Sequence, residues 1–117
     1  MISKWRFYSM WALAAVILLG IGMCKVANAE NFNNILLNQT SSKQKQILSV
    51  AVNSAGFDCS NPSRAYFQGW DGGTGFWNVQ CSEGAYSVMI GPDSSNKSMP
   101  CVLMQAITKV PCFTPLD

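Results

Sequence analysis

The chain has 117 residues, 49% of them hydrophobic and only 12% charged, so it is too apolar to be disordered and too short for more than one small domain. Its net charge of +2 is set by the N-terminus: from Glu30 onward five cations face six carboxylates, a balance of −1 that gives no basic surface for nucleic acid. With no histidine in the sequence, triad chemistry and most zinc sites are also excluded.

Residues 1–29 have the layout of a secretory signal peptide. Lys4 and Arg6 precede an apolar core, Trp11 to Met23, and the small residues Ala27 and Ala29 stand where signal peptidase takes its −3 and −1 side chains. Cleavage after Ala29 leaves residues 30–117 as a single exported domain. The alternative is a retained N-terminal membrane anchor, for which the 17 residues from Phe7 to Met23 lie at the lower limit of a span. A lipoprotein at Cys24 is a third option, weakened by Ile21-Gly22-Met23, which makes a poor lipidation signal. The domain is therefore expected to be periplasmic or secreted, or held at the inner membrane facing the periplasm.

Cysteine usage fits export. Setting Cys24 aside with the leader leaves Cys59, Cys81, Cys101 and Cys112, an even set suited to two disulfides in an oxidising compartment. The four are widely spaced and lack a C-x-x-C pair, which argues against a metal cluster.

In chain order, residues 30–39 mix asparagines with Ile35-Leu36-Leu37 and read as a poorly ordered start or a first helical turn. Thr40, Ser41 and Ser42 are good N-cap residues for an amphipathic helix over about 42–55, with Ile47, Leu48, Ala51 and Ala55 on one face. Val50 and Val52 widen or interrupt that stripe. Gly56 stands where a left-handed residue would end the helix.

After a connection through Pro62, strands are expected at about 64–70, 76–81 and 85–90. Asp71-Gly72-Gly73-Thr74-Gly75 joins the first two, and Glu83-Gly84 joins the second pair. Alternation puts Trp77, Val79 and Cys81 on one face with Tyr86, Val88 and Ile90, and makes Phe67 the inward residue of the first strand. The polar stretch Gly91–Ser98 reads as a mobile loop. Residues 101–112 form a short helix burying Val102, Ala106 and Ile107, or a fourth strand. The fold class is α+β: one helix packed on a three- or four-stranded antiparallel meander.

The hairpin brings Cys59 within reach of Cys81 through a bend at Pro62, which leaves Cys101 to pair with Cys112. A straight helix would hold those two roughly 16 Å apart, against the roughly 4.4–6.8 Å between Cα atoms that a disulfide needs. Their pairing therefore requires a turn near Thr108–Pro111.

The pattern Gly56-Phe57-x-Cys59, Gly69-x-Asp71, Gly75-Phe76-Trp77-x-Val79-x-Cys81 and Gly84-x-Tyr86-x-Val88 resembles a set of small exported proteins of proteobacteria with no assigned activity. The resemblance covers about residues 56–90 and implies a compartment and a fold. The helix-then-meander layout is similar to PepSY-type domains in architecture alone.

Chemistry has few carriers. The glycine cluster around Gly72 lacks the following helix and Lys-Ser/Thr of a phosphate loop, and is turn chemistry. Asp58, Asp71, Glu83 and Asp93 are scattered singly, without calcium-loop or paired-carboxylate spacing. No cofactor and no catalytic residue is expected.

The aromatics offer more. Phe67, Trp77 and Tyr86 are expected in the core, and Tyr66, Trp70 and Phe76 on the outward face or at the turn, as a patch for a protein or a glycan. The expected role is a non-catalytic binding or accessory protein of the bacterial envelope. The alternatives are a secreted hydrolase inhibitor that inserts its hairpin tip and a glycan- or peptidoglycan-binding module.

Overall fold

The computed structural model describes residues 31–116; the expected signal peptide or anchor over residues 1–29 and the lipidation site at Cys24 lie outside the described residues. The asparagine-rich start is a helix, α1 (Phe32–Leu37), because the Asn31 side chain caps it by accepting from the Asn33 N–H at 3.0 Å. The second helix, α2 (Ser41–Ser54), begins at Thr40, whose Oγ1 accepts from the Lys43 N–H at 3.2 Å. It ends in a Schellman motif: Gly56, at φ +95°, donates to Asn53 and Phe57 donates to Val52.

The buried stripe of α2 differs from the expected one. Leu48 and Val52 are fully buried, with Ile47 and Ala51 packed beside them, whereas Ala55 is exposed as the C-cap and Val50 faces solvent. Leu48 and Val52 lie four residues apart, so one row of the helix carries the contact.

Four strands follow: β1 (Arg64–Asp71), β2 (Thr74–Cys81), β3 (Gly84–Ile90) and β4 (Asn96–Pro100). They form one antiparallel sheet in the order β1-β2-β3-β4. Only Gly72 and Gly73 are unpaired between β1 and β2, at φ +58° and +84°, the all-positive geometry of a tight two-residue hairpin turn.

The fourth strand corrects two expectations: it comes from residues 96–100 and not from 101–112, and it takes up part of the stretch read as a loop. Residues 96–98, read from their polarity as loop, are paired with β3, and the loop shrinks to a turn closed by Gly91 donating to Ser95 at 2.8 Å. The second edge of β3 supplies the hydrogen bonds, so pairing overrides the weak strand propensity of Asn96–Pro100.

A helix, α3 (Cys101–Thr108), follows at once, and Lys109 leaves it in the left-handed region. Only Met104 of this helix is buried; Val102 is 83% exposed and Ile107 63%, and Ala106 is exposed too, contrary to the burial expected for all three. The reason is rotational. The disulfide turns Cys101 toward the sheet, Met104 and Thr108 share that face, and residues 102, 103, 106 and 107 are left outside.

Both disulfides form as expected, Cys59–Cys81 with Cα atoms 5.1 Å apart and Cys101–Cys112 with 5.9 Å. They fit an oxidising, extracytoplasmic setting. Among the described residues no helix is long and apolar enough to cross a membrane.

The sheet is covered on both faces. Against α1 and α2 it presents Trp77, Val79, Cys81, Val88 and Ile90, all buried, with Phe67, Ala65 and Tyr86 at the margin. This is the hydrophobic core. The other face presents the buried polar residues Gln68, Asn78 and Ser87 to α3 and the C-terminal residues 110–116.

Candidate functional site

The aromatic residues expected to form one patch are divided between the two faces of the sheet. The cause is a β-bulge. Phe67 pairs with Trp77 and Gly69 pairs with Phe76, so Gln68 is an extra residue and the alternation of β1 is inverted beyond it.

Trp70 therefore lies on the same face as Phe67 and Trp77, with its ring edge-on to Phe67 at 5.4 Å and 44% of its surface exposed. Tyr66 is on the opposite face, half-buried against Phe113 at 6.3 Å, and the Arg64 guanidinium sits 4.4 Å over the Phe113 ring. Phe76 is half-buried on that same opposite face. Of the three, only Trp70 presents a largely free aromatic surface.

What the fold does build is a groove on the core side. The elements α1, α2 and the β3–β4 turn enclose about 270 Å³, lined by Phe32, Ile47, Val50, Ala51 and Ile90, with Ser94 and Asn96 at one rim. None of the lining side chains is ionisable. The volume falls just below the roughly 300–1,000 Å³ of small-molecule sites and suits one or two apolar side chains.

The wall that α1 contributes is set by one asparagine. Asn33 is fully buried; its Nδ2 donates to the Ile90 carbonyl at 2.8 Å and to Asn31 Oδ1 at 2.6 Å, and its Oδ1 accepts from Trp77 Nε1 at 2.8 Å. Every polar group in this buried cluster is thus paired, as low dielectric demands. Asn31 also reaches the hairpin turn, donating to the Gly73 carbonyl at 3.1 Å. The next residue after Asn31, Phe32, is held over the groove as a result.

The polar face is organised by two more buried amides. Gln68 Nε2 donates to the carbonyls of Pro111 and Thr114, each at 3.0 Å, and Asn78 Oδ1 accepts from the Phe113 N–H at 2.7 Å. Asn78 Nδ2 donates to Gln68 Oε1 at 3.0 Å, and the Gln68 carbonyl accepts from Leu116 at 3.1 Å. Sequence reasoning missed Asn33, Gln68 and Asn78 as organisers. Alternation could have placed Asn78 opposite the apolar face, and Gly69, a glycine inside β1 at φ +139°, is the local signal that could have marked the bulge beside it.

Two of the carboxylates, Glu83 and Asp93, are committed to turns. The hydroxyl and N–H of Ser60 donate to Glu83, at 2.6 and 2.8 Å, and hold its carboxyl below the ordinary range. Asp93 is lowered in the same way by the Ser95 hydroxyl and N–H within its own turn. Both stay charged at neutral pH, unsuited to general-acid work. No cluster of three or more potential metal ligands occurs among the described residues.

No protein-family model matches the chain, and no curated protein or solved structure matches it either.

Proposed function

We propose that this is a non-catalytic binding or accessory domain of the bacterial envelope, exported to an oxidising compartment, that takes an apolar segment of a protein partner into the groove beside α2. The observation that carries this reading is the groove itself, open, apolar and lined by no ionisable side chain, a surface equipped to bind and not to react. Two disulfides support the compartment. The bulge leaves Trp70 alone at the rim of the core face, so the sheet's aromatics offer no joint patch to compete with the groove.

Val50 decides the matter experimentally. It is 64% exposed on the groove wall, so Val50→Asp places a charge in the site at little cost to the fold. Partner capture from native envelope should be lost with Val50→Asp and kept with Trp70→Ala, the far-UV circular dichroism of both matching wild type. Capture that survives Val50→Asp removes the groove from the account. The rival readings have their own signatures: a glycan binder sediments with purified cell-wall material and loses this with Trp70→Ala, and an inhibitor blocks a hydrolase stoichiometrically.

A further inference from the structure

The two disulfides stand in different chemical situations, independently of the groove. Cys59 and Cys81 are 4% and 3% exposed, inside the core, whereas Cys101 and Cys112 are half-buried at the surface of the polar face. Cys101 is also the first residue of α3, whose N-cap, Pro100, offers no side-chain hydrogen bond and whose first turn has no acidic residue. The free amides of that turn favour a thiolate at Cys101.

We propose that the C-terminal segment is a redox-latched strap: a dithiol reductant opens Cys101–Cys112 and frees residues 110–116 from the sheet, while Cys59–Cys81 and the core stay closed. The chemistry is thiol–disulfide exchange. A thiolate of the dithiol attacks Cys112 Sγ, forming a mixed disulfide and expelling Cys101 as the thiolate stabilised at the helix start. The second thiol of the reductant then attacks its own sulfur in the mixed disulfide and expels Cys112, which takes up a proton. Two electrons pass to the protein, and the dithiol leaves as a disulfide.

The geometry shows what the latch holds. Apart from the cross-link, the strap is kept by hydrogen bonds of its backbone to Gln68 and Asn78 and by Phe113 between Arg64 and Tyr66. α3 adds little, since Met104 is its only buried residue. Opening the strap uncovers the amides of Gln68 and Asn78 and the side of Tyr66 that packs on Phe113. The back of the sheet thus alternates between sealed and open.

The test is a redox titration of the full chain in dithiothreitol buffers, with alkylation mapping and amide hydrogen exchange read by mass spectrometry. Cys101 and Cys112 should become alkylated while Cys59 and Cys81 are still protected. At that point exchange at Phe113 and Leu116 should quicken on the order of 100-fold, the loss of an 11-residue cross-linked loop, with Val79 and Val88 unchanged. A Cys101→Ser/Cys112→Ser variant should show the same fast exchange without reductant. The proposal is overturned if Cys59–Cys81 opens first or together with it, if exchange at Phe113 rises less than about 10-fold, or if the sheet amides accelerate in parallel.

Discussion

Gly75 and Asn33 form an interlock whose energetics can be worked through. Gly75 lies in β2 with φ outside the left-handed region, so its backbone suits any residue. What excludes a side chain is space: a Cβ there would fall inside the contact distance of the Asn33 carboxamide. Gly75→Ala must therefore displace Asn33. That strands the Trp77 indole N–H and the Ile90 carbonyl, both otherwise paired to Asn33 at 2.8 Å. Each buried group left unpaired costs roughly 1–3 kcal/mol, giving a loss of about 3 kcal/mol for the substitution. Asn33→Ala strands the same two groups and should cost a similar amount. In the double variant the clash is gone, so Gly75→Ala should add less than about 1 kcal/mol to the cost of Asn33→Ala. The assay is urea unfolding of the four proteins with disulfides intact, followed by circular dichroism. Additivity within about 0.5 kcal/mol, a combined loss of about 6 kcal/mol, would refute the reasoning.

Three further outcomes follow from other positions. Glu83 has its folded pKa lowered by Ser60, so its contribution is present above the unfolded carboxylate value and fades as pH falls through the folded one. The melting temperature of Glu83→Gln should therefore lie below wild type at neutral pH and converge with it in acid; a constant gap would remove the carboxylate from the explanation. Lys109 is held at φ +65°, where a Cβ costs about 1 kcal/mol, so Lys109→Gly should raise the melting temperature by about 4–8 °C. Intact mass should show no alkylation of Cys59, Cys81, Cys101 or Cys112 before reduction, and loss of Cys59–Cys81, which closes the longer loop, should destabilise by roughly 3 kcal/mol or more.

The parts of the fold that were legible in the sequence are those with strong local chemistry. Gly72-Gly73 fixed the hairpin because only glycine takes two successive positive φ values cheaply. The run Thr40-Ser41-Ser42 and Gly56 marked the ends of α2, and chain geometry favoured, among three possible connectivities, the pairing that forms. What was not legible depends on partners distant in sequence. β4 is a strand because β3 has an edge to fill. The inward face of α3 is chosen by Cys112, from outside the helix. The bulge at Gln68 is signalled in the sequence by Gly69 alone, and by inverting the faces of β1 it sends Trp70 away from Tyr66 and Phe76. Asn33 reads as a polar residue of a loose terminus until Trp77 and Ile90 are beside it.

The same bulge bears on how this sheet behaves in a crowd. An open sheet has two edges, each a row of backbone donors and acceptors able to template another chain. In β1 the row is broken at Gln68, whose carbonyl is already taken by Leu116. β4 is five residues long, carries the exposed Lys97 and stops at Pro100, which has no N–H to offer. Both edges are thereby poor templates for the strand-by-strand addition through which open sheets grow into fibrils.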